Sequence, residues 1–323
     1  MSAPSRPPSA RSGEGCVVGV DGGGTGSRAL VVDSSGREVA RAEGPPALVQ
    51  ASDPGAAAFA MAQTVEEALA RGGIEPPVAA LWTGLAGAGR SGGREAVEIA
   101  LRSRKLAVRT RVGLDVEGAH WDAFGPEPGV LLSVGTGTVV WGRSPEGREI
   151  KVGGWGHPLG EEGSGYWLGL RGLQAVVQAA DGRIPPTSLS RRLPRALGIP
   201  EVQDLVPWID EATKGEVAAL APAVLDAAAQ GDPAARDIIA DGLESLSRHM
   251  AVVRRLWLPE DSVFPLALAG GLLRPGAHLR EAVARVARSM GGQVLPGEVV
   301  AVRGASRLAL RLLDPPGPNP LPN

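Results

Sequence analysis

Two glycine-rich segments follow short apolar runs and could bind an anion through their backbone. Asp21-Gly22-Gly23-Gly24-Thr25 follows an apolar run that begins at Cys16, and Gly135-Thr136-Gly137-Thr138 follows the apolar run 130–134. Consecutive backbone N–H groups in a tight glycine turn form a concave site for phosphate-like anions. An ordinary polar turn would explain either segment alone. Their recurrence in one chain, each between two predicted strands, favours phosphate binding.

A third glycine pair could accommodate a flat ring. Gly270-Gly271 follows the buried apolar run 263–269, where bare backbone at a strand end would let an adenine ring lie close. When this pair is taken alone, a loop that begins a helix is the better explanation. Two glycine hairpins followed by a strand and Gly-Gly are harder to explain by turns alone.

Two aspartates stand at the ends of predicted strands. Asp21 ends the first strand beside its glycine turn, and Asp115 follows the strand 108–114 and precedes a helical run. Carboxylates at the carboxyl ends of strands lie where α/β sheets bind ligands, but Asp is also a favoured helix N-cap. Both interpretations of Asp115 stay open. Asp21 could hold Mg²⁺ through water, because that ion keeps several of its waters.

The segment 153–165 combines many glycines with an aromatic residue and two adjacent carboxylates. Trp155 offers an apolar face, and Glu161 and Glu162 offer acceptors, which suits a polyhydroxylated ligand. The alternative for the glutamates is the first turn of a helix, where acidic side chains interact favourably with the helix dipole. His157 has no Cys or His nearby, so we interpret it as bracing the loop rather than binding a metal.

An alternation of strands and helices must position these residues, which predicts an α/β fold. The apolar stripe from Ile239 to Trp257, with steps of three and four residues, predicts a long packed helix. Other helices are predicted at 54–71, 92–104, 276–289 and 303–313. Strands are predicted at 16–20, 28–33, 38–43, 78–83, 108–114, 130–134, 139–142, 263–269 and near Val299.

The composition excludes several classes of protein. The 323 residues include 33 Lys+Arg and 35 Asp+Glu, which gives a net charge of -2. A general nucleic-acid binder is expected to carry an excess of positive charge, so this class is excluded. Only three of the cations are lysines (Lys105, Lys151 and Lys214), and none follows a GxxxxG run, which excludes a Walker P-loop. The single cysteine, Cys16, excludes a disulfide scaffold and a Cys-rich zinc module.

The two ends of the chain are polar or rich in proline, which predicts disordered tails at 1–15 and 314–323. No apolar run approaches the roughly 18 residues of a membrane-spanning helix. The first tail also lacks the apolar core of a signal peptide, so we predict a cytoplasmic protein.

The quoted motifs resemble those of a known superfamily. Val20-Asp21-Gly22-Gly23-Gly24-Thr25, Leu132-Ser133-Val134-Gly135-Thr136-Gly137 and Leu268-Ala269-Gly270-Gly271 resemble the first phosphate, second phosphate and adenosine motifs of the actin/hexokinase/Hsp70 superfamily. The segment 153–165 is similar to the signature of N-acetylglucosamine kinases within the BadF/BadG/BcrA/BcrD-type ATPase family. This resemblance covers nearly all of the chain between Val17 and Leu313.

The resemblance implies an α/β fold of two ribonuclease-H-like, actin-like ATPase domains hinged around a central cleft. The N-terminal domain would comprise 16–115 and be joined by the C-terminal helix 303–313, and the C-terminal domain would comprise 116–302. ATP and Mg²⁺ are the implied cofactors. A small-molecule sugar is the implied partner, with no nucleic acid and no membrane, and a homodimer is left open.

The resemblance also implies roles for individual residues. Asp115 would be the catalytic base and Asp21 the carboxylate that holds Mg²⁺ through water. ATP would be bound by Asp21, Gly22, Gly23, Gly24, Thr25, Gly135, Thr136, Gly137, Thr138, Gly270 and Gly271. The sugar would be bound by Asp115, Thr136, Gly154, Trp155 and Glu161.

Two departures from the family pattern bear on the sugar. Relatives have a sugar-binding Asn in the loop after the third strand, whereas 44–50 has none and offers Gln50 instead. Glu161 stands where several relatives have Asp.

The function that the resemblance implies is transfer of a phosphoryl group from ATP to N-acetylglucosamine or glucosamine, at the 6-hydroxyl. One alternative is an ATPase that activates a radical dehydratase or reductase, but those relatives bind an iron–sulfur cluster with two cysteines from each subunit, and this chain has only Cys16. Another is a non-catalytic, sugar-sensing regulator, which would need a DNA-binding module that the short N-terminal tail does not supply.

Overall fold

The computed structural model describes residues 11–47, 53–87, 93–157, 159–257 and 263–314. The chain forms two compact units: unit 1 is Met1–Gly125 with Val300–Asn323, and unit 2 is Pro126–Val299. The sequence placed these divisions after Asp115 and before helix 303–313. In the structure the first division follows Gly125 and the second precedes Val300. The helix that begins at Asp115 packs extensively against the C-terminal helix, so both helices belong to unit 1.

Unit 1 contains a five-stranded sheet, a two-stranded ribbon and four helices among its described residues. Its strands are β1 (Arg11–Ser12), β2 (Cys16–Gly22), β3 (Ser27–Asp33), β4 (Glu38–Gly44), β5 (Ile74–Glu75), β6 (Val78–Leu85) and β7 (Ala107–Leu114). Its helices are α1 (Pro54–Gly72), α2 (Gly93–Ser103), α3 (Asp115–Phe124) and α11 (Ala301–Arg311).

The main sheet of unit 1 has the strand order β4-β3-β2-β6-β7. The first three strands are antiparallel neighbours, and β6 and β7 run parallel to β2. The carboxyl ends of β2, β6 and β7 therefore meet at one edge, with Asp21 opposite Gly84 and Leu85 opposite Leu114. This edge is where the topology brings Asp21 and Asp115 into one neighbourhood.

Helices cover both faces of this sheet. The alanine-rich α1 buries Met61 and Val65 in one apolar cluster with the strands. On the other face α11 lies so close to β2 that a β-carbon at Gly19 would be 2.0 Å from the amide nitrogen of Ser306. The cluster on that face consists of Val17, Leu30, Val32, Ala80, Trp82, Ala305 and Ala309.

A buried carboxylate fixes the start of α11. Asp122 on α3 has a side chain that is 1% exposed and forms ion pairs with Arg303 and Arg307. Its Oδ2 also accepts the N–H of Val300 at 2.8 Å. α11 therefore belongs to unit 1 through polar contacts as well as through apolar packing.

Unit 2 repeats the sheet of unit 1 and adds a helical subdomain. Its strands are β8 (Gly129–Val134), β9 (Thr138–Arg143), β10 (Glu149–Gly153), β11 (Phe264–Ala269) and β12 (Gly292–Val294), in the order β10-β9-β8-β11-β12. Its helices are α4 (Gly165–Ala180), α5 (Leu189–Leu197), α6 (Leu205–Glu211), α7 (Lys214–Ala218), α8 (Ala221–Ala229), α9 (Pro233–Trp257) and α10 (His278–Ser289).

The sheet of unit 2 again joins three antiparallel strands to two parallel ones. β8 occupies the place that β2 occupies in unit 1, and each of these strands leads into a glycine hairpin. The predicted fold class, α/β with two ribonuclease-H-like sheets, is confirmed.

Two local predictions are wrong. Residues 11–15, predicted as part of a disordered tail, form β1, which pairs with β5, and a 3₁₀ turn at Gly13–Gly15. The strand predicted near Val299 is absent from the described residues, because the N–H of Val300 donates to Asp122 and Val300 is the N-cap of α11. Residues 1–10 and 315–323 of the predicted tails lie outside the described residues.

Candidate functional site

The first glycine turn is the tip of the β2–β3 hairpin. The Gly23 N–H donates to the Gly26 carbonyl at 2.9 Å, which closes the tip. A β-carbon at Gly22 would lie 2.7 Å from the Met61 methyl carbon, so a larger residue there would require the end of the Met61 side chain to move. A β-carbon at Gly24 would meet nothing within 4 Å. Glycine at 24 is therefore not required by packing within the protein, and its backbone is open to a ligand.

Two carboxylates share the edge of the unit 1 sheet beside this hairpin. Asp21 pairs with Gly84 across the sheet, and a β-carbon at Gly84 would lie 3.2 Å from the Asp115 Cα. Burial, and to a smaller extent the negative charge of Asp115, raise the pKa of Asp21 to about 6, against a lowering by Arg28. A cation beside these two carboxylates would stabilise their ionised forms, and so offset both the desolvation of Asp21 and the repulsion between the two negative charges.

Asp115 is the first residue of α3 rather than its cap. The N-cap position belongs to Leu114, whose N–H donates to Glu117 Oε1 at 3.0 Å. Oδ1 of Asp115 accepts the N–H of Val116 at 3.0 Å. The alternative interpretation of Asp115 as a helix N-cap is therefore wrong, and its half-buried carboxylate lies at the carboxyl edge of the sheet.

The second glycine turn and the Gly-Gly pair lie side by side in unit 2. β11 runs parallel to β8, so Gly135 and Gly270 follow neighbouring strand ends. A β-carbon at Gly135 would be 3.7 Å from the Gly271 amide nitrogen. Gly270 has a φ of +88° and lies against Val134, whose carbonyl oxygen would be 2.3 Å from a β-carbon there. The structure thus brings these two motifs together.

The start of α4 is anchored to the second glycine turn. The Gly165 N–H donates to the Gly135 carbonyl at 2.8 Å, and the Tyr166 N–H donates to the Thr136 carbonyl at 3.3 Å. Ser164, which is fully buried, caps the helix by accepting the Trp167 N–H at 3.2 Å. The segment 153–165 consequently ends at a fixed point beside the predicted phosphate-binding backbone.

Glu161 lies directly against this turn. Its Oε2 accepts the Thr138 N–H at 2.6 Å, and its carboxylate occupies the space that a β-carbon at Gly137 would need. Its Oε1 forms an ion pair with Lys214. The alternative that Glu161 and Glu162 belong to the first turn of a helix is wrong, because both precede the N-cap Ser164.

The remaining predicted sugar-binding residues form the exposed part of the segment. The Trp155 side chain is 76% exposed, and Lys151 Nζ donates to the Gly154 carbonyl at 3.4 Å. The His157 ring packs edge-on against Tyr166 with 5.2 Å between the ring centroids, which braces the loop. Pro158 and Gln50 lie outside the described residues.

The model of the BadF/BadG/BcrA/BcrD ATPase family matches residues 18–309. The chain belongs to this family. The predicted family resemblance is confirmed.

Several proteins that are similar to this chain are sugar kinases. An N-acetyl-D-glucosamine kinase of Dictyostelium discoideum is 30% identical over 275 residues, which is 79% of this chain and 84% of the relative. An N-acetylmuramic acid/N-acetylglucosamine kinase of Clostridium acetobutylicum is 27% identical over 260 residues, 80% of this chain and 85% of the relative. The crystal structure of a proposed N-acetylglucosamine kinase from Chromobacterium violaceum is 29% identical, with a TM-score of 0.75 and coverage of 92% and 99% of the two chains.

In this BadF/BadG/BcrA/BcrD ATPase the described residues contain no group of three or more His, Cys, Asp or Glu side chains suited to a metal. The paired Asp21 and Asp115 still fit Mg²⁺, which proteins hold through one or two carboxylates together with water and substrate phosphates. None of the described helices has the length and apolar character that a membrane crossing requires.

The sequence analysis did not identify Lys214 as part of the candidate site. Lys214 belongs to the helical subdomain, 53 residues beyond Glu161, and no motif spans that interval. The available signal was the scarcity of lysine: 30 of the 33 cations are arginine. Gly84, which separates the two aspartates, was also missed because it carries no chemistry of its own.

Proposed function

We propose that the protein is an ATP-dependent sugar kinase that transfers the γ-phosphoryl group of ATP to the 6-hydroxyl of N-acetylglucosamine or glucosamine. Membership of the ATPase family and relatives that are N-acetylglucosamine kinases support this class of reaction. The observation that carries the assignment is the pair Asp21 and Asp115 at the sheet edge, beside a glycine hairpin that is open to a ligand.

Asp115 is the proposed general base. Phosphoryl transfer has a loose transition state, so the protein acts mainly by positioning the reactants and stabilising charge. The Val116 N–H donates to Oδ1 of Asp115 at 3.0 Å and orients the carboxylate at the sheet edge. Asp115 accepts the proton of the attacking sugar hydroxyl as the new oxygen–phosphorus bond forms and the bond from the γ-phosphorus to the bridging oxygen of ADP breaks, with ADP as the leaving group.

Asp21 is proposed to hold Mg²⁺ through water. Its raised pKa reflects a carboxylate that is buried near a second negative charge, which a divalent cation would stabilise in its ionised form. When bound, Mg²⁺ supplies charge neutralisation for the phosphates of ATP. Asp21 then positions the ion, and Asp115 remains available to the sugar.

The glycine motifs are proposed to bind ATP through their backbone. The proposed phosphate contacts come from Gly22, Gly23, Gly24 and Thr25 in unit 1 and from Gly135, Thr136, Gly137 and Thr138 in unit 2. The N–H groups of Gly23, Gly135 and Thr138 already donate to Gly26, Gly137 and Glu161, so we propose Gly24, Thr25, Thr136 and Gly137 as the sources of donors to the phosphates. The open space over Gly24 and Gly271 supports this role, because a β-carbon at either position would meet nothing within 4 Å. Gly270 and Gly271 are the proposed surface for adenine.

Thr136, Gly154, Trp155 and Glu161 are proposed to bind the sugar together with Asp115. An exposed aromatic residue and a carboxylate in the same segment suit a ring with apolar CH faces and polar hydroxyls. We further propose a cytoplasmic location, and the homodimer remains a prediction of the sequence.

A coupled ADP-release assay tests this function. N-acetylglucosamine, glucosamine, N-acetylmuramate, glucose and a no-sugar control are compared, and we expect one of the two amino sugars to exceed glucose by at least about tenfold in kcat/KM. The 6-deoxy analogue of the best sugar should be inert, because it lacks the accepting hydroxyl. Turnover of that analogue would contradict the 6-hydroxyl assignment.

The role of Asp115 is tested by Asp115→Asn, which preserves shape but cannot accept a proton. The expected loss in kcat is roughly 10²–10⁴-fold with sugar and ATP binding retained. Asp33→Asn is the matched control, since Asp33 ends β3 at the opposite end of the hairpin from the glycine tip. Near-normal turnover of Asp115→Asn would refute the general-base assignment.

A further inference from the structure

Both carboxylate oxygens of Glu161 have partners from outside the segment 153–165. Oε2 accepts the backbone N–H of Thr138 at 2.6 Å, and Oε1 is paired with the ammonium of Lys214. The Glu161 side chain is 5% exposed, whereas that of Lys214 is 25% exposed. Among the residues that the structure describes, the ion pair of this buried carboxylate is with Lys214, the first residue of α7.

The backbone of Glu161 shows that its side chain is needed at this position. Its φ is +80°, a left-handed conformation in which glycine is usual and other side chains carry a conformational cost. A segment this rich in glycine could have placed glycine there. Glu161 combines this conformational cost with the two contacts of its carboxylate, to the Thr138 N–H and to Lys214.

The short helix α7 is held firmly enough to position a charge. Thr213 caps it, accepting the Glu216 N–H at 3.2 Å, and Glu216 accepts the Thr213 N–H at 2.7 Å in return. Gly169 on α4 lets α7 approach so closely that a β-carbon there would be 2.0 Å from the Val217 carbonyl oxygen. Lys214, the first residue of α7, is thus fixed relative to the start of α4.

Lysine is also the exceptional cation in this chain. Of its 33 cations only three are lysines, yet Lys214 contacts Glu161 and Lys151 contacts Gly154, both within the segment 153–165. An ammonium is a compact point charge, whereas a guanidinium is a wide planar fork. Lys214 meets one oxygen of Glu161 as such a point charge, so the positive charge, rather than a bidentate geometry, is the feature to test.

We infer that Lys214 is a positioning and specificity-determining residue of the sugar site: it neutralises Glu161 and holds its carboxylate in the orientation that receives sugar hydroxyls. This inference rests on the proposed function. It changes the expected character of the site, because a neutralised Glu161 offers hydrogen-bond acceptors without the net negative charge that would favour a cationic 2-amino group. The uncharged 2-acetamido sugar is then the preferred substrate.

The test compares Lys214→Met, which removes the charge and keeps the length, with Lys214→Arg, which keeps the charge. We expect Lys214→Met to lower kcat/KM for N-acetylglucosamine by at least about tenfold while KM for ATP stays within about twofold. The kcat/KM ratio of glucosamine to N-acetylglucosamine should rise about tenfold, because the unpaired Glu161 attracts the ammonium of glucosamine. Lys214→Arg should retain most of the wild-type preference.

Lys105→Met is the matched control, since it makes the same chemical change two residues after α2 in unit 1, outside the proposed site. Glu161→Gln provides a background without the buried charge, which keeps the test valid if Lys214→Met does not fold. In that background a further Lys214→Met change should alter the sugar constants by less than about twofold, because Lys214 acts through the carboxylate.

Three results would overturn the inference about Lys214. They are equal effects of Lys214→Met on the sugar and ATP constants, an unchanged ratio of the two sugars, and a full effect of Lys214→Met in the Glu161→Gln background. A wild-type protein without sugar-dependent ADP release would instead overturn the proposed function and remove the sugar-binding role of the pair. An active wild type with unaffected Lys214 variants overturns only the inference.

Discussion

The stability of unit 1 should fall as the pH rises through the titration of Asp21. Its pKa in the folded protein is raised from 3.8 to about 6 by burial and by the charge of Asp115. A carboxyl group with a raised folded pKa stabilises the native state below its unfolded pKa, and that contribution is lost as the pH rises through the folded value. The affected window is therefore pH 4 to 7.

The magnitude follows from the shift. Each pKa unit corresponds to 1.36 kcal/mol, so a shift of about two units corresponds to about 3 kcal/mol. Asp21→Asn has no charge to bury. Relative to wild type it should gain stability progressively from pH 4 upwards, reaching about 3 kcal/mol of additional unfolding free energy above pH 7 in the absence of metal and nucleotide.

Urea unfolding at half-unit pH intervals measures this difference, with hydrogen exchange in β2 and β6 identifying the transition of unit 1. Asp115→Asn removes only the second cause of the shift, so it should reduce the pH dependence without abolishing it. A difference between wild type and Asp21→Asn that stays constant from pH 4 to 8 would refute the reasoning.

Asp33 supplies a control of opposite sign in the same hairpin. Hydrogen bonds from the Ser35 side chain, the Ser35 and Arg37 backbones and the Arg37 side chain lower its pKa to about 2. The contribution of Asp33 to the free energy of unfolding is fully present above its unfolded pKa, and it is lost only as the pH falls through its folded pKa. The difference between wild type and Asp33→Asn should therefore be flat between pH 5 and 8, where that for Asp21→Asn changes.

Three further substitutions test other parts of the molecule. Gly23→Val should lower ATP affinity at least about 100-fold, because the new side chain projects from the proposed phosphate-binding turn. The fold should stay intact, because among the described residues a β-carbon there meets only the Gly26 carbonyl, at 3.4 Å. Unchanged ATP binding by calorimetry would place the phosphates elsewhere. Trp155→Ala should change stability by less than about 0.5 kcal/mol, as expected for a side chain that is 76% exposed, yet raise the sugar KM about tenfold; an unaffected KM would remove Trp155 from the site. Asp122→Ala should cost about 1–3 kcal/mol in urea unfolding by leaving the Val300 N–H unpaired, and a smaller loss would mean that packing alone docks α11.

The parts of the site that depend on local sequence could be predicted. A strand that leads into consecutive glycines is encoded within a few residues, so the hairpin tips at Gly23–Gly26 and Gly135–Gly137 were recognisable. Asp115 could be placed at a strand end for the same reason. The repeated strand order of the two sheets follows from the repetition of these hairpins.

The parts that depend on long-range packing could not be predicted. Lys214 meets Glu161 only because Gly169 lets α7 approach α4, and nothing near Lys214 in the sequence indicates that contact. Val299 and Val300 have the composition of a strand, but Asp122, distant in sequence, takes the N–H of Val300. Local β propensity was outweighed there by a single buried carboxylate.

The return of α11 to unit 1 has a consequence for biosynthesis. A ribosome completes the contiguous residues 126–299 of unit 2 before it makes the helix that covers one face of the unit 1 sheet. Until then Val17, Leu30 and Trp82 lack their cover from Ala305 and Ala309, so the nascent chain carries an exposed apolar face that a chaperone can bind. The unit that is translated first is therefore completed last. A premature stop within α11 would remove part of the apolar layer that covers one face of the unit 1 sheet.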